Sequence, residues 1–328
     1  VTDLFAVAAR LEPRAVIEAI PPSVRRPLEE PRVPQREGDD VVIQLGPWTP
    51  RAPARHILPS LAVLTPHAPS MRFELSARRA GSWSAWVATT TLGDHPFAPL
   101  PATADGLSAD IDEIHARPPL DGLRLRVRVG GPHREAMFEA PWLATVSAWE
   151  GTTSGEGIAA RVSLAVPPRT QMTAAEPIRL RICSPTSVGM AMEFLGRDIP
   201  TGALADEIFH APTERFGVWP AAVRAAATHG FPGYLLRFPD WDAVAWCLGR
   251  GLPIVASIRY GIGELTNAAM PETDGHLVVI TGLDGDAILV NDPAAPTKAE
   301  VPRRYDRDEL TRAWLERTGV GYVFLRPV

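Results

Sequence analysis

Residues 150–157, EGTTSGEG, hold no apolar side chain, and the hydrophobic rhythm of the chain changes across them. Before them, apolar positions recur every second residue in short runs separated by proline and glycine. After them, runs with helical spacing come first and short strand patterns follow. A chain whose periodicity switches in this way has to build two different kinds of layer, one from sheets and one from helices laid on a sheet. At 328 residues it has room for two domains of ordinary size, roughly 100–200 residues each.

The first part is expected to be all-β. Leu123, Leu125, Val127 and Val129 alternate with Arg124, Arg126 and Arg128, which predicts a half-buried strand with a solvated arginine face. Phe73, Leu75 and Ala77 alternate within Met71–Arg78, and Trp142–Trp149 is a further strand candidate. Thirty-four prolines fit many turns and few long helices. Val1 to Ile20 carries Asp3, Arg10, Glu12, Arg14 and Glu18 through its apolar positions and predicts a short amphipathic helix. Residues 21–40, rich in proline and charge, read as a linker. The expected division is therefore an N-terminal helix and linker over 1–40, a β-sandwich-like domain over 41–157 and an α+β domain over 158–328.

Within the last of these, helices are predicted at Ser184–Leu195, Pro220–His229 and Trp241–Leu248, each followed by glycine. Strands are expected at Ile254–Ile258, His276–Ile280, Ala287–Val290 and Gly321–Leu325. A final helix starts at Asp306, with Glu309 placed for a capping box.

Composition excludes several functions. A net charge of −5 argues against a broad nucleic-acid or anionic-membrane surface, and no apolar run approaches the ~18 residues of a membrane span. Two cysteines, Cys183 and Cys247, make no disulfide framework and no CxxC metal pair. His56, His67, His95, His115, His133, His210 and His229 show no ligand spacing along the chain, so neither metal nor cofactor is expected. The first residues do not read as a signal peptide. The cytoplasm is the expected compartment, or the periplasm or exterior where a leader has been removed.

Chemistry concentrates in three residues. Cys183 stands at the start of a predicted helix with Pro185 in its first turn, where unpaired amides favour thiolate. The commoner fate of a lone cysteine is a small buried apolar residue, expected here of Cys247. His276 and Asp292 lie on two strands joined through Asp284-Gly285, a strong hairpin signal. A turn centred there puts Asp292 across from His276 with Asn291 on the opposite face, so that the carboxylate can bond the imidazole at Nδ1. A helix-borne thiol, an imidazole and a carboxylate supply a nucleophile, a base and an orienter.

Cys183-Ser184-Pro185-Thr186-Ser187, Gly275-His276-Leu277-Val278-Val279 and Asn291-Asp292-Pro293 together resemble the C39-like cysteine peptidase family. Phe216-Gly217-Val218-Trp219-Pro220 and Arg304-Tyr305…Trp314 resemble segments of its stand-alone bacterial members. The resemblance covers about Val166 to Val328. It implies a papain-like fold preceded by the all-β domain, with Cys183 as nucleophile, His276 as base and Asp292 as orienter. It also implies a glutamine upstream of the cysteine that helps form the oxyanion hole, for which Gln171 is the candidate, although eleven residues separate the two. Gly275 and Trp219 are candidate substrate-binding residues, Trp219 as a wall of the cleft.

The expected activity is attack on a peptide or amide bond through a Cys183 acyl-enzyme. The alternatives are an acyltransferase on the same site and a non-catalytic binding protein with a vestigial triad. Trp83, Trp86, Trp142 and Trp149 offer the all-β domain a carbohydrate-stacking platform, or it binds a protein ligand, against the plainer reading that they are core.

Overall fold

A computed structural model describes residues 1–151 and 160–327, so all but the first two residues of the 150–157 stretch lie outside the described residues. The alternating segment forms the strand Gly122–Gly130, paired between Asp40–Trp48 and Ser70–Arg79. These three are the middle of a six-stranded antiparallel sheet that also holds Gln35–Glu37, Ser82–Trp83 and Val87–Ala88. Its leucines and valines at 123, 125, 127 and 129 are completely buried. The arginine face is not a solvated one, contrary to expectation. Glu74 is fully buried on it and accepts from Arg72 at 2.8 Å and from Arg128 at 2.7 Å. Arg124 lies over the rings of both Trp83 and Trp86, and Arg126 sits 3.8 Å from the Trp86 centroid. A buried carboxylate has to be paired, and the arginines that pair it are drawn in with it. Trp142 and Trp149 are buried on the other sheet, so the four tryptophans form no common platform.

That second sheet runs Thr2–Ala9, Trp142–Trp149, Ala54–Val63, Ile114–Leu120, Leu107–Ala109, Thr103–Ala104, all antiparallel. The expected N-terminal helix is therefore wrong over its first half. Thr2–Ala9 is a strand, and only Pro13–Ile17 is helical. The strand is buried on both faces, so its sequence shows no alternation, and such short apolar runs do not distinguish strand from helix. Asp3, which suggested a polar helix face, is buried and held by the backbone N–H and Nε of Arg51 at 2.7 and 2.6 Å. Nor is the proline-rich stretch a free linker. The amides of Arg26 and Glu29 donate to Leu4 and Ala6, and Leu4 donates to Val24, which covers the free edge of the first strand.

The second half holds the expected helices and strands and adds a helix, Thr201–Ile208, and three strands that the sequence did not indicate, Arg161–Ser163, Gly233–Arg237 and Pro302–Asp306. Helices Cys183–Phe194, Thr201–Ile208, Trp219–Thr228 and Trp241–Gly249 accompany a seven-stranded sheet. Its main path is Gly233–Arg237, Val320–Phe324, Ile254–Tyr260, Thr273–Asp284, Ala287–Asn291, Pro302–Asp306, with Arg161–Ser163 added beside the end of Thr273–Asp284. The capping box at the last helix is one-sided. Asp306 accepts from the amides of Asp308 and Glu309, but the Glu309 carboxylate reaches across to Thr266 instead.

The two halves share a continuous apolar core. Helix Trp219–Thr228 packs on strand Ala54–Val63, and strand Gly233–Arg237 packs on Trp142–Trp149. Polar ties cross the same junction. The Tyr234 hydroxyl donates to Ala19 O at 2.5 Å, the Arg237 amide to Ser147 Oγ at 3.2 Å, and the Arg224 guanidinium to Ala68 O and Pro69 O. Separating the halves would expose this apolar surface at about 25 cal/mol per Å². Calorimetry of the full chain should therefore give one cooperative unfolding transition, and two resolved transitions would show that the shared core does not couple the halves.

Candidate active site

Helix Cys183–Phe194 is buried from Ser184 through Met192, so it runs through the interior with no polar face. Its N-cap, Ile182, makes no side-chain capping bond, so the cap residue takes none of the amides at the positive end of the helix. The Ser187 hydroxyl donates to Leu277 O at 3.0 Å and pins the helix to the strand beside His276. Cys183 stands half-buried at the mouth of this helix. Burial by itself would raise its thiol pKa. The hydrogen bond and charge of His276, with the amides of Leu277 and Ser184, outweigh burial and hold it below its ordinary value.

His276 lies within strand Thr273–Asp284, opposite Ile258 on Ile254–Tyr260. Its Nε2 lies 2.8 Å from Asp292 Oδ1. The expected bond was at Nδ1. With Nε2 engaged by the carboxylate, Nδ1 is the ring nitrogen left for the thiol. The hairpin register also differs from expectation. The turn residues are Gly285 and Asp286, and an irregularity between Ile280 and Gly282 shifts the pairing, so that Asn291 faces Val279. Asp292 follows the strand's last residue and reaches His276 along a diagonal, still within range for side chains on one face.

Three donors clasp the Asp292 carboxylate: His276 and the Ala294 amide at Oδ1, and the Tyr305 hydroxyl at Oδ2, at 2.5 Å. Burial works against the charged form, but His276 and then Tyr305 and Ala294 prevail, and the carboxyl is held down at about 2. Burial likewise works against the imidazolium, and Asp292 with Cys183 prevails, raising His276 to about 10. The arrangement can hold a thiolate beside a protonated imidazole. Tyr305 was noticed in the sequence only within a motif, with no role. Its strand, Pro302–Asp306, pairs with Ala287–Asn291 and carries it under Asp292.

Gln171 is buried in the short 3-10 turn Gln171–Thr173. Its amide donates to Pro293 O at 2.9 Å, and its Nε2 donates to Arg179 O at 2.6 Å. Its Oε1 has no partner among the described residues. Asn291 points away from His276, as expected, but is not idle: its Nδ2 donates to Val166 O at 2.9 Å. Cys247 is fully buried, and burial pushes its thiol well up.

A cleft of about 900 Å³ opens over Cys183. Trp219 and Gly275 line it, with Leu277, Arg181, Arg215 and Arg259. Its other wall comes from the first half of the chain, residues 110–113 and His115, which no sequence signal indicated. The wall is tied to the second half by the Trp219 amide, which donates to Asp112 Oδ1 at 2.8 Å. Burial raises Asp112 to about 7 despite that bond.

No curated protein sequence is a significant match to the chain. Among solved structures it is similar to a C39-like peptidase from Bacillus anthracis, with 16% identity and a TM-score of 0.39 over 51% of this chain and 98% of that one. It is also similar to the peptidase domain of Streptococcus ComA, a bifunctional ABC transporter involved in a quorum-sensing pathway. There the identity is 16% and the TM-score 0.34, over 44% of this chain and 92% of that one. The model of the Peptidase_C39 like family matches residues 163–322, the stretch that carries Cys183, His276 and Asp292.

Proposed function

We propose that the chain is a thiol-dependent hydrolase of peptide or amide bonds, built as a β-sandwich-like unit followed by a papain-like catalytic domain. The observation that carries this reading is the buried His276–Asp292 pair, 2.8 Å apart, beside a thiol held below its ordinary pKa at a helix start. In the resting enzyme Cys183 is a thiolate and His276 an imidazolium. The thiolate attacks the carbonyl carbon of the scissile bond, and the carbonyl oxygen becomes an oxyanion. The amides at the helix start and the Gln171 side chain receive that charge. The bond from Gln171 to Arg179 O fixes the amide and leaves its second N–H for this purpose. His276 passes its proton to the leaving amine, and the acyl group remains on Cys183. Water then attacks the acyl-enzyme with neutral His276 as base, releasing the acid and restoring the ion pair. Asp292 keeps the ring oriented and compensates its charge throughout. Trp219 and Gly275, which line the same cleft as Cys183, contact the substrate in this reading. A peptide library assayed with wild type and Cys183→Ala tests it directly, since cleavage that survives the substitution would remove Cys183 from the chemistry.

The ion pair has a pH signature. Iodoacetamide reacts with thiolate, so Cys183 should alkylate substantially well below pH ~8.5, the free-cysteine value. His276→Ala should move that profile upward. In kcat/KM the rate should climb as pH rises through the lowered thiol value and fall as His276 loses its proton near about 10. A wild-type alkylation midpoint at the free value would exclude a resting thiolate.

Asp292→Ala should lower turnover by orders of magnitude. Tyr305→Phe removes a hydrogen bond to a charged group, about 1.5–3 kcal/mol, and should cost about 10–100-fold if all of it is felt in the rate. Asn291→Ala should instead reduce the thermal midpoint and leave kcat within a few-fold. Equal losses of kcat at 291 and 292 would contradict the division between the two faces.

Gln171→Ala should lower kcat by roughly 10²–10³, the cost of one preorganised oxyanion donor. An unchanged rate with a folded protein would assign the oxyanion to other groups.

A further inference from the structure

Residues far apart in sequence meet on the cleft wall supplied by the first half of the chain. Strands Ala54–Val63 and Ile114–Leu120 pair so that His56 faces His115 directly. Directly opposed residues have Cβ atoms ~4.5–5.5 Å apart. Glu113 stands just before that strand, two positions from His115, and its carboxylate turns to the same pair of rings. The side chains converge accordingly. Glu113 Oε1 lies 2.5 Å from His56 Nδ1 and 3.6 Å from His115 Nδ1, and the two rings meet edge to face at 5.1 Å. Ligand atoms of all three residues lie within 4.8 Å of one another.

We propose that His56, Glu113 and His115 bind a divalent transition metal ion of the zinc class at the edge of the active-site cleft. Two imidazoles and one carboxylate suit zinc, and would not be chosen by calcium or magnesium, which take oxygen ligands. Zinc bonds of about 2.0–2.1 Å would set tetrahedral ligand atoms about 3.3 Å apart, a spacing the trio reaches by small rotations of half-buried side chains. The surroundings fit as well. Asp110 Oδ2 lies 3.4 Å from His115 Nε2, the far nitrogen, where a carboxylate orients a ligating imidazole. Trp149 stacks on His56 at 5.2 Å between centroids, at 12° between planes, and holds that ring from behind. Glu113 and His115 both line the cleft that Cys183 lines. Three protein ligands leave a fourth position for water or for a carboxylate oxygen of a bound molecule. Spacing along the sequence could not show this site, because strand pairing brings together residues 59 positions apart.

The competing arrangement is two imidazoles sharing Glu113 through hydrogen bonds alone. Titration calorimetry with Zn²⁺ on the full chain separates the two. Cys183→Ala serves as the background, because a thiol beside His276 would itself take zinc. That chain should bind one equivalent of Zn²⁺ with a Kd in the micromolar range or tighter, unaffected by excess Mg²⁺. Co²⁺ should give the strong visible absorption of tetrahedral coordination. Adding His115→Ala or Glu113→Gln should weaken binding at least about 100-fold, and Asp110→Asn about 10–100-fold. His56→Gln, closer in volume, guards against a variant that fails to fold, as does the thermal midpoint of each chain without metal. No saturable binding to the Cys183→Ala chain would overturn the proposal, as would binding that His56→Gln and His115→Ala leave unchanged.

Discussion

A buried carboxylate is costly, with several kcal/mol of lost hydration to recover, and Asp292 is completely buried. Much of the local architecture follows from that cost. Oδ1 takes the imidazole and the Ala294 amide, and Oδ2 takes the Tyr305 hydroxyl, so neither oxygen is left unsatisfied. The residues on either side of Asp292 are used as fully. Asn291 grips Val166 O, and Pro293 O receives the amide of Gln171. Three consecutive residues thus fix the imidazole, the tyrosine that supports the carboxylate, and the incoming segment that carries Gln171. Loss of the charge at 292 would loosen the ring orientation, while loss of its neighbours would release the segment before the helix.

Much of this was legible in the sequence. Helical spacing after 183 and strand patterns around 254, 276, 287 and 321 marked three of the helices and four of the seven strands of the second half, because amphipathic periods and glycine stops act locally. Thr201–Ile208, Arg161–Ser163, Gly233–Arg237 and Pro302–Asp306 were missed. The proximity of His276 and Asp292 was legible too, since a hairpin turn brings its arms together whatever the details. The details were not. The turn falls one residue later than expected, at Gly285 and Asp286, and an irregularity between Ile280 and Gly282 shifts the pairing again, which no local preference marks. Thr2–Ala9 hid for the opposite reason. A strand buried on both faces has no period of two, and its single acid at position 3 is explained by Arg51 and Arg26, which lie 48 and 23 positions later. The arginine face of Gly122–Gly130 failed similarly, because Glu74, the residue that draws it inward, belongs to another strand.

The same distinction explains why the cleft was only half visible. Cys183, Trp219, Gly275 and Leu277 come from the part of the chain whose motifs were recognised. The facing wall is built by residues 110–113 and His115, set there by sheet order and by the packing of helix Trp219–Thr228 on Ala54–Val63. The wall and the helix are not merely adjacent. Trp219 opens that helix with its amide bonded to Asp112, and Trp219 itself lines the cleft. A side chain that touches the cleft is therefore positioned by a carboxylate from the other half. Because the core beneath is continuous, moving either half shifts both the Trp219 wall and the strand pair that holds His56 against His115. The first half of the chain is then a structural part of the cleft, and the width of the cleft above Cys183 is set by how the two halves pack.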